Sequence, residues 1–238
     1  TFEVLKIASK LKKRVVIGTT GFSKSEEKLI KNYAKKIPIL RAGNMSLGIN
    51  LLMYLTEIAS KLKKRIVIGT TGFTKKEESL IKKYSKKIPI LKAGNMSVGI
   101  NLLMYLTEIA SKSLGNNFLS KVFEVHHKHK KDHPSGTALM LGKGIAIGKN
   151  KDLYKLLGNK YLNKKSFPYG KKINFNSIRK GEIIGEHEVK FSSGKEVLTL
   201  NHEAFDRALY SEGAFTAAKW LMNKKPGLYS MRDVLNFK

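Results

Sequence analysis

The chain has 238 residues, of which 42% are hydrophobic, and it carries a formal net charge of +28 and no cysteine. This length allows one large or two small cores, and the lack of cysteine excludes disulfides and thiolate metal sites. No apolar run approaches the roughly 18 to 20 residues that cross a bilayer, and the N-terminus has no signal-peptide layout, so we expect a cytoplasmic protein without a membrane partner.

The positive charge raises the question of a nucleic-acid partner, because clustered Lys and Arg release counterions from phosphate backbones. The lysines are instead scattered, without an interleaved aromatic platform. We therefore expect no nucleic-acid partner; a basic nucleic-acid binder stays as an alternative whose affinity would fall steeply with salt. A field of this sign also attracts anionic small molecules such as dinucleotides and dicarboxylates.

A tandem repeat dominates the N-terminal half, where residues 7–57 recur at 58–108 with an offset of 51 residues. In each copy an apolar run ends at a Gly-Thr-Thr-Gly turn, which is typical of a buried parallel strand. A helix, the short strand Ile-Pro-Ile-Leu and a second helix follow. Two such βαβα units predict an α/β fold with a parallel sheet of about four strands and helices on both faces, a partial Rossmann-like sheet.

Polar residues mark the start of each predicted helix. A Ser or Thr before an apolar periodic segment caps a helix, and a Glu three residues later completes a capping box. The predicted caps are Ser23, Ser46, Thr74 and Ser97, with Glu26 and Glu77 as capping-box partners. A G-x-G-x-x-G dinucleotide fingerprint is absent from the sequence, and a Gly-Thr-Thr-Gly turn by itself is a weak signal.

The segment 121–139, KVFEVHHKHKKDHPSGTAL, contains four of the six histidines. Its first part predicts a strand that delivers His126 and His127 to its end, and Pro134 and Ser135 open the next helix. The free N–H groups at that helix start, together with nearby Lys130, favour a bound carboxylate or phosphate.

Three interpretations of this segment compete. The histidines could bind a metal, but adjacent histidines on a strand point to opposite faces and no HExxH-like pattern completes a site. The segment could be an exposed basic loop. It could also be an acid/base site, in which a histidine delivers a proton near neutral pH and lysines hold an anionic substrate.

The C-terminal half alternates apolar and polar residues between glycine-containing turns from Lys172 onward. This pattern predicts a second, α+β domain with an open mixed or antiparallel sheet. We expect His187 and His202 to be structural there. A helix over 204–222 should bury Trp220 in its apolar face.

The segment EVHHKHKKDHPSGTA resembles the signature of the dihydrodipicolinate reductase (4-hydroxy-tetrahydrodipicolinate reductase) family, E-x-H-H-x-x-K-x-D-x-P-S-G-T-A. Other pieces agree in order and spacing, among them VIGTTGF, AGNMSVGINLL, IRKGEIIGEHEVKF, GKEVLTLNHEAFDR and PGLYSMRDVL. The resemblance covers residues 58–238, and residues 7–57 match as a second copy of one portion.

The resemblance implies reduction of 4-hydroxy-tetrahydrodipicolinate with NADPH or NADH, in the diaminopimelate route to lysine, by a homotetramer that binds a small dicarboxylate. By motif, His126 is the proton donor and Lys130 assists, both as catalytic residues. His127, Gly136 and Thr137 bind substrate. The nicotinamide contacts are Gly69, Thr70, Thr71, Ala93, Gly94, Asn95 and Met96, and no metal is implied.

We assign these contacts to the second copy because its distance to the histidine segment matches the family. The first copy offers the same chemistry at Gly18, Thr19, Thr20 and residues 42–45. The family's glycine-rich loop is expected to precede Thr1. The alternative to an active reductase is therefore a catalytically silent remnant that binds dicarboxylate or oligomerises. The resemblance divides the chain into a nucleotide-binding part, 1–113, a substrate and oligomerisation domain, 114–222, and a tail, 223–238, that packs back on the first part.

Overall fold

The structure is a computed structural model that describes residues 1–18, 22–42, 44–153, 156 and 173–237. Its helices and strands in chain order are α1 (Phe2–Lys10), β1 (Val15–Ile17), α2 (Lys24–Ala34), β2 (Ile39–Arg41), α3 (Leu47–Lys61), β3 (Ile66–Ile68), α4 (Lys75–Ser85), β4 (Pro89–Lys92), α5 (Val98–Leu114), β5 (Leu119–His126), α6 (Gly136–Gly148), β6 (Asn174–Arg179), β7 (Gly185–Ser192), β8 (Val197–Ala204), α7 (Ala208–Leu221), β9 (Gly227–Tyr229) and α8 (Met231–Val234). Both parts of the predicted α/β and α+β architecture are present.

Residues 1–63 and 72–84 form one compact unit. Within it β1 and β2 pair in parallel, and Leu5, Ile17 and Ile30 pack together in one buried apolar cluster. Helix α1, which the sequence pattern did not predict, supplies Leu5. A small core of this kind gives the first copy of the repeat its own packing centre.

Residues 64–71 and 85–238 form the second compact unit. Its first sheet has the order β3-β4-β9, all parallel, with Leu91 opposite Tyr229. The predicted sheet of about four repeat strands is therefore wrong: in the described residues β1 and β2 form a separate pair. In the part of the chain that the structure describes, the second copy extends its sheet with the C-terminal strand β9, which pairs with β4, and not with a strand of the first copy.

Helices α7 and α8 cover this sheet. Leu91 and Met96 pack with Leu221 and Met231 in one apolar cluster. The approach of α7 is close enough that a Cβ on Gly213 would lie 1.8 Å from the Met96 carbonyl oxygen, so only glycine fits there. The C-terminal segment is thus bound to the second copy of the repeat through both a strand and two helices.

The second sheet is mixed, with the order β6-β5-β7-β8. Strand β6 is parallel to β5, whereas β7 and β8 are antiparallel to their neighbours. Helices α5 and α6 pack against it, with Leu141, Ile145, Phe175 and Phe191 at the centre of the core. This arrangement brings the end of β5 and the start of α6 together.

The predicted helix starts are confirmed. Ser23 with Glu26 forms a capping box, and the Thr74 hydroxyl and the Glu77 carboxylate accept each other's backbone N–H. Ser46 and Ser97 accept from the third residue of their helices. Of the helices in the described part of the chain, none is both long and apolar enough to cross a membrane.

Candidate active site

A pocket of about 320 Å³ lies in the second unit, where the loops after β4 and β5 meet the start of α6. This volume suits a small organic ligand. Its lining residues are Thr71, Gly94, His126, His127, Lys130, Asp132, Ser135, Gly136, Thr137, Ile184, Arg207 and Tyr210. The structure therefore gathers all five residues that were predicted for catalysis and substrate binding.

The start of α6 forms one wall of the pocket. The Ser135 hydroxyl accepts the backbone N–H of Ala138 at 3.1 Å, while the N–H groups of Gly136 and Thr137 belong to the first turn, which lacks intrahelical acceptors. A Cβ built on Gly136 would meet nothing within 4 Å. Gly136 and Thr137 both line the pocket, so the first turn of α6 supplies the N–H groups and the positive helix end that an anion site requires.

Two cations and a histidine complete the anion site. The Lys130 ammonium lies 2.9 Å from the Asp132 carboxylate, and Arg207 lines the same cavity. Desolvation, followed by the positive charges of Arg207, His126 and Lys130, lowers the pKa of His127. His127 is therefore a neutral hydrogen-bonding group near pH 7, and the positive field comes from the two longer side chains.

His126 differs sharply from His127 because its ring is buried, with 7% of the residue exposed. Its Nδ1 lies 2.5 Å from Oε2 of Glu124, and it remains part of the pocket lining. A histidine held on one nitrogen and open to a cavity on its other side has the geometry of a proton donor.

His187 lies beside His126, with ring centroids 4.9 Å apart and the planes at 79°. Burial, followed by the charge of His126, lowers the pKa of His187 to about 3. A neutral, 4% exposed ring is consistent with the structural role that the sequence predicted. Its Nε2 is 3.4 Å from the Ser135 hydroxyl.

Glu124, His126 and His187 offer ligand atoms that all lie within 4.8 Å of one another. Such a set has the donor types of a transition-metal site. However, Oε1 of Glu124 already accepts from the guanidinium of Arg179 at 2.9 Å, and Oε2 lies against Nδ1 of His126, so both carboxylate oxygens already have protein partners. We therefore interpret the cluster as a proton-handling network.

The predicted cofactor residues divide into two groups. Thr71 and Gly94 line the pocket, and Asn95 donates from Nδ2 to the Thr137 hydroxyl at 3.0 Å. Met96 instead packs into the apolar cluster under α7. The others, at the ends of β3 and β4, are Gly69, Thr70 and Ala93; Ala93 donates its N–H to the Ile68 carbonyl at 2.9 Å.

The corresponding residues in the first copy of the repeat make different contacts. Asn44 donates from Nδ2 to the Gly72 carbonyl at 3.0 Å, where its counterpart Asn95 reaches Thr137. Three of the alternative cofactor residues, Thr19, Thr20 and Gly43, lie outside the described residues. Among the described residues, the second copy is therefore the one whose Asn contacts the helix start of the pocket.

Sequence reasoning missed several pocket and supporting residues. Arg207 and Tyr210 come from the start of α7, about 80 residues after the histidine segment, and no local pattern connects them. Glu124 could have been found, because residues two apart on a strand share a face and Glu124 precedes His126 by two.

Family models cover most of the chain. The model described as dihydrodipicolinate reductase, C-terminus, matches residues 99–235. The model described as dihydrodipicolinate reductase, N-terminus, matches residues 1–45 and 49–96.

Relatives agree with the family models. The chain is 81% identical over 189 residues to the 4-hydroxy-tetrahydrodipicolinate reductase of Pelagibacter ubique, covering 79% of this chain and 73% of that protein. The enzyme of the same name from Buchnera aphidicola subsp. Schizaphis graminum is 46% identical over 187 residues, which cover 78% of this chain and 68% of the relative. The solved structure of dipicolinate-bound dihydrodipicolinate reductase from Paenisporosarcina sp. TG-14 superposes with a TM-score of 0.64 at 22% identity, covering 90% and 82% of the two chains, and supports the fold.

Proposed function

Because this chain belongs to the dihydrodipicolinate reductase family, we propose that it reduces 4-hydroxy-tetrahydrodipicolinate to tetrahydrodipicolinate with a pyridine nucleotide, in lysine biosynthesis by the diaminopimelate route. The observation that carries the proposal is the pocket in which His126 and Lys130 meet the open start of α6. The reaction consumes one hydride and one proton, and the 4-hydroxyl group leaves as water, so atoms and electrons balance.

The substrate is a dicarboxylate, and its anionic groups match the charge of the pocket. One carboxylate would accept hydrogen bonds from the N–H groups of Gly136 and Thr137 and from the ring N–H of His127, and the ammonium of Lys130 would neutralise its charge. Charge-assisted contacts of this kind orient the ring. His126 then transfers its proton from Nε2 to the reduced substrate, and Lys130 assists by stabilising negative charge as it develops.

The bound nucleotide, NADPH or NADH, supplies the hydride. The residues that would hold its nicotinamide are Gly69, Thr70, Thr71, Ala93, Gly94, Asn95 and Met96. The close approach at Gly94 supports this assignment: a Cβ there would lie 2.9 Å from Cγ2 of Thr71 and 3.0 Å from Sδ of Met140. A side chain at this position would displace Thr71 or Met140, so glycine keeps the pocket wall open where it lines the cavity.

We further propose the division of labour that the family implies. Residues 1–113 contribute to nucleotide binding, residues 114–222 bind substrate and form the oligomer, and residues 223–238 pack back on the first part. The proposed assembly is a homotetramer in the cytoplasm that associates through the open sheet of the second part. Strand β8 supports this, because its residues Val197 and Leu198 are exposed.

Titration calorimetry and a turnover assay test the function together. We expect the purified chain to bind pyridine-2,6-dicarboxylate and either NADPH or NADH, and to oxidise the nucleotide only when substrate is present. Binding of the dicarboxylate without nucleotide binding or turnover would identify a silent remnant. Binding of neither ligand would contradict the functional proposal.

A matched pair of variants tests which copy holds the nicotinamide. Asn95→Ala removes the hydrogen bond to Thr137, and we expect it to weaken nucleotide binding by about 5-fold, the effect of one ordinary hydrogen bond. Asn44→Ala makes the same change in the first copy and should alter the dissociation constant less than about 2-fold. The opposite pattern in calorimetry would move the site to the first copy.

A further inference from the structure

Glu124 is a buried acid that does not line the pocket but lies directly beneath it. It is 1% exposed and sits in β5 two residues before His126. Because side chains alternate along a strand, both point to the same face. Burying an ionised carboxylate is costly unless it is paired and hydrogen-bonded. The partners of Glu124 therefore indicate its role.

The two oxygens of Glu124 have different partners. Oε1 accepts from the Arg179 guanidinium at 2.9 Å and from the backbone N–H of Ser135 at 2.9 Å. Oε2 lies 2.5 Å from Nδ1 of His126. One carboxylate oxygen thus connects β5 with Arg179 at the end of β6 and with Ser135, the N-cap residue of α6. The other oxygen, Oε2, contacts only the His126 ring among these partners.

The charge of Glu124 decides where the proton of His126 lies. Burial alone would raise the pKa of Glu124, but the close contact with His126 and the hydrogen bonds from Ser177, Arg179 and Ser135 outweigh burial and bring it well below its ordinary value. An ionised carboxylate only accepts hydrogen bonds. Nδ1 of His126 must therefore carry a proton, and Nε2 is the atom that can act toward the pocket.

We propose that Glu124 is a positioning residue, which keeps one proton on Nδ1 of His126 and orients the ring so that Nε2 carries the second proton toward the bound substrate and is left bare, in the neutral Nδ1–H form, after the transfer. The shared contact with the Ser135 N–H couples this orientation to the helix start that receives the substrate carboxylate. Arg179 also donates to the Asp132 carbonyl, so the same network holds the loop that carries Lys130. The inference rests on the proposed function, since the proton acceptor is its substrate.

Glu124→Gln is the principal test. A glutamine can donate its amide N–H to Nδ1, which would favour the opposite tautomer of His126. We expect kcat to fall at least about 100-fold, the lower range for a general acid, while the dissociation constant of pyridine-2,6-dicarboxylate changes less than about 3-fold. The ¹⁵N spectrum of the His126 ring should show the proton moving from Nδ1 to Nε2.

Glu182→Gln is the matched control. Glu182 pairs with Lys128 at 3.3 Å, near the same loop, and its side chain is 72% exposed. Turnover, dicarboxylate binding and the His126 spectrum should all stay within about 2-fold of the parent chain. A fall in kcat for Glu124→Gln no larger than that of this control would overturn the inference.

Glu124→Asp keeps the test decisive if the glutamine variant fails to fold because Arg179 loses its counter-charge. Aspartate preserves the charge beside Arg179, but it is one methylene shorter, so its carboxylate lies farther from Nδ1 of His126. We expect kcat to fall about 10-fold or more, with a melting temperature that falls less than that of Glu124→Gln. Glu124 would be merely structural if kcat and the His126 signals stayed like those of the parent chain. The same conclusion would follow if kcat and dicarboxylate affinity fell in the same proportion.

Failure of the functional proposal would look different. In that case the parent chain would not oxidise nucleotide at all, whatever the state of His126. The tautomer of His126 in the parent and in the two Glu124 variants would still be measurable. An Nε2–H tautomer in the parent, or no change on substitution, would overturn the positioning role independently of turnover.

Discussion

At the residue scale, the histidine segment divides into side chains with different tasks although they are adjacent in sequence. His126 is buried against Glu124, His127 faces the pocket, and His129 has a side chain that is 70% exposed. His127 follows the last residue of β5, so its ring is not held against Glu124 as the ring of His126 is. Two of the three interpretations of the segment therefore apply to different residues: His129 is part of an exposed loop, whereas His126 has an acid/base environment.

Stability should depend on pH through His187. Its folded pKa of about 3 lies below the value of about 6.5 for an unfolded histidine, so only the unfolded chain takes up this proton as the pH falls from 6.5. We expect the free energy of unfolding to decrease by up to about 1.4 kcal/mol per pH unit in that window, and His187→Gln to reduce this slope in urea unfolding. His129→Gln is the exposed control, and an equal slope in parent and His187→Gln would contradict the prediction.

Lys130 should contribute to anion binding in the ground state as well as to the reaction itself. A charge-assisted hydrogen bond contributes about 1.5–3 kcal/mol, so Lys130→Gln is expected to weaken pyridine-2,6-dicarboxylate binding roughly 10- to 100-fold in calorimetry. Lys128→Gln, whose side chain is 62% exposed, should change it less than about 2-fold. Equal effects of both variants would show that Lys130 acts only through the general positive field.

At the element scale, the two copies of the repeat give nearly identical sequences different environments. Leu91 in β4 is fully buried, whereas its counterpart Leu40 in β2 is 63% exposed; Met96 and Met45 differ in the same way, at 6% and 50%. The C-terminal helices and β9 cover the second copy. The chain contains one such C-terminal segment and two repeat copies, so one copy is left without this cover.

This difference predicts unequal costs for equal substitutions. Leu91→Ala leaves a cavity in a packed cluster and should lower the free energy of unfolding by about 2–5 kcal/mol. Leu40→Ala removes the same atoms from an exposed site and should cost less than about 1 kcal/mol. Urea unfolding of both variants measures the difference. A similar loss at Leu40 would mean that the first copy is covered in solution, for example by a second chain.

At the scale of the whole molecule, the net charge of +28 should act on every anionic ligand. Added salt screens this field, because the Debye length falls from about 10 Å at 0.1 M to about 3 Å at 1 M. We expect the affinity for NADPH to fall more steeply with salt than that for NADH, which lacks one phosphate. Calorimetry in a salt series measures both slopes, and equal slopes would show that the additional phosphate is not bound near positive charge.

The sequence by itself determined the local elements and the chemistry at their ends. Capping at Ser23, Ser97 and Ser135 depends on residues three apart, and strand alternation in β5 depends on residues two apart, so both are readable from short segments. The signature around His126 likewise identified the family and the five residues predicted for catalysis and substrate binding.

Tertiary structure alone decided the remainder, because it depends on contacts between residues far apart in the chain. The two repeat copies are nearly equivalent in sequence, and only the pairing of β9 with β4 distinguishes the covered copy from the exposed one. Arg207 and Tyr210 reach the pocket through the position of α7, and Arg179 reaches Glu124 across the sheet. Each of these contacts arises where the chain folds back on itself to bury apolar surface. Local sequence periodicity does not indicate which distant segments pack together in this way.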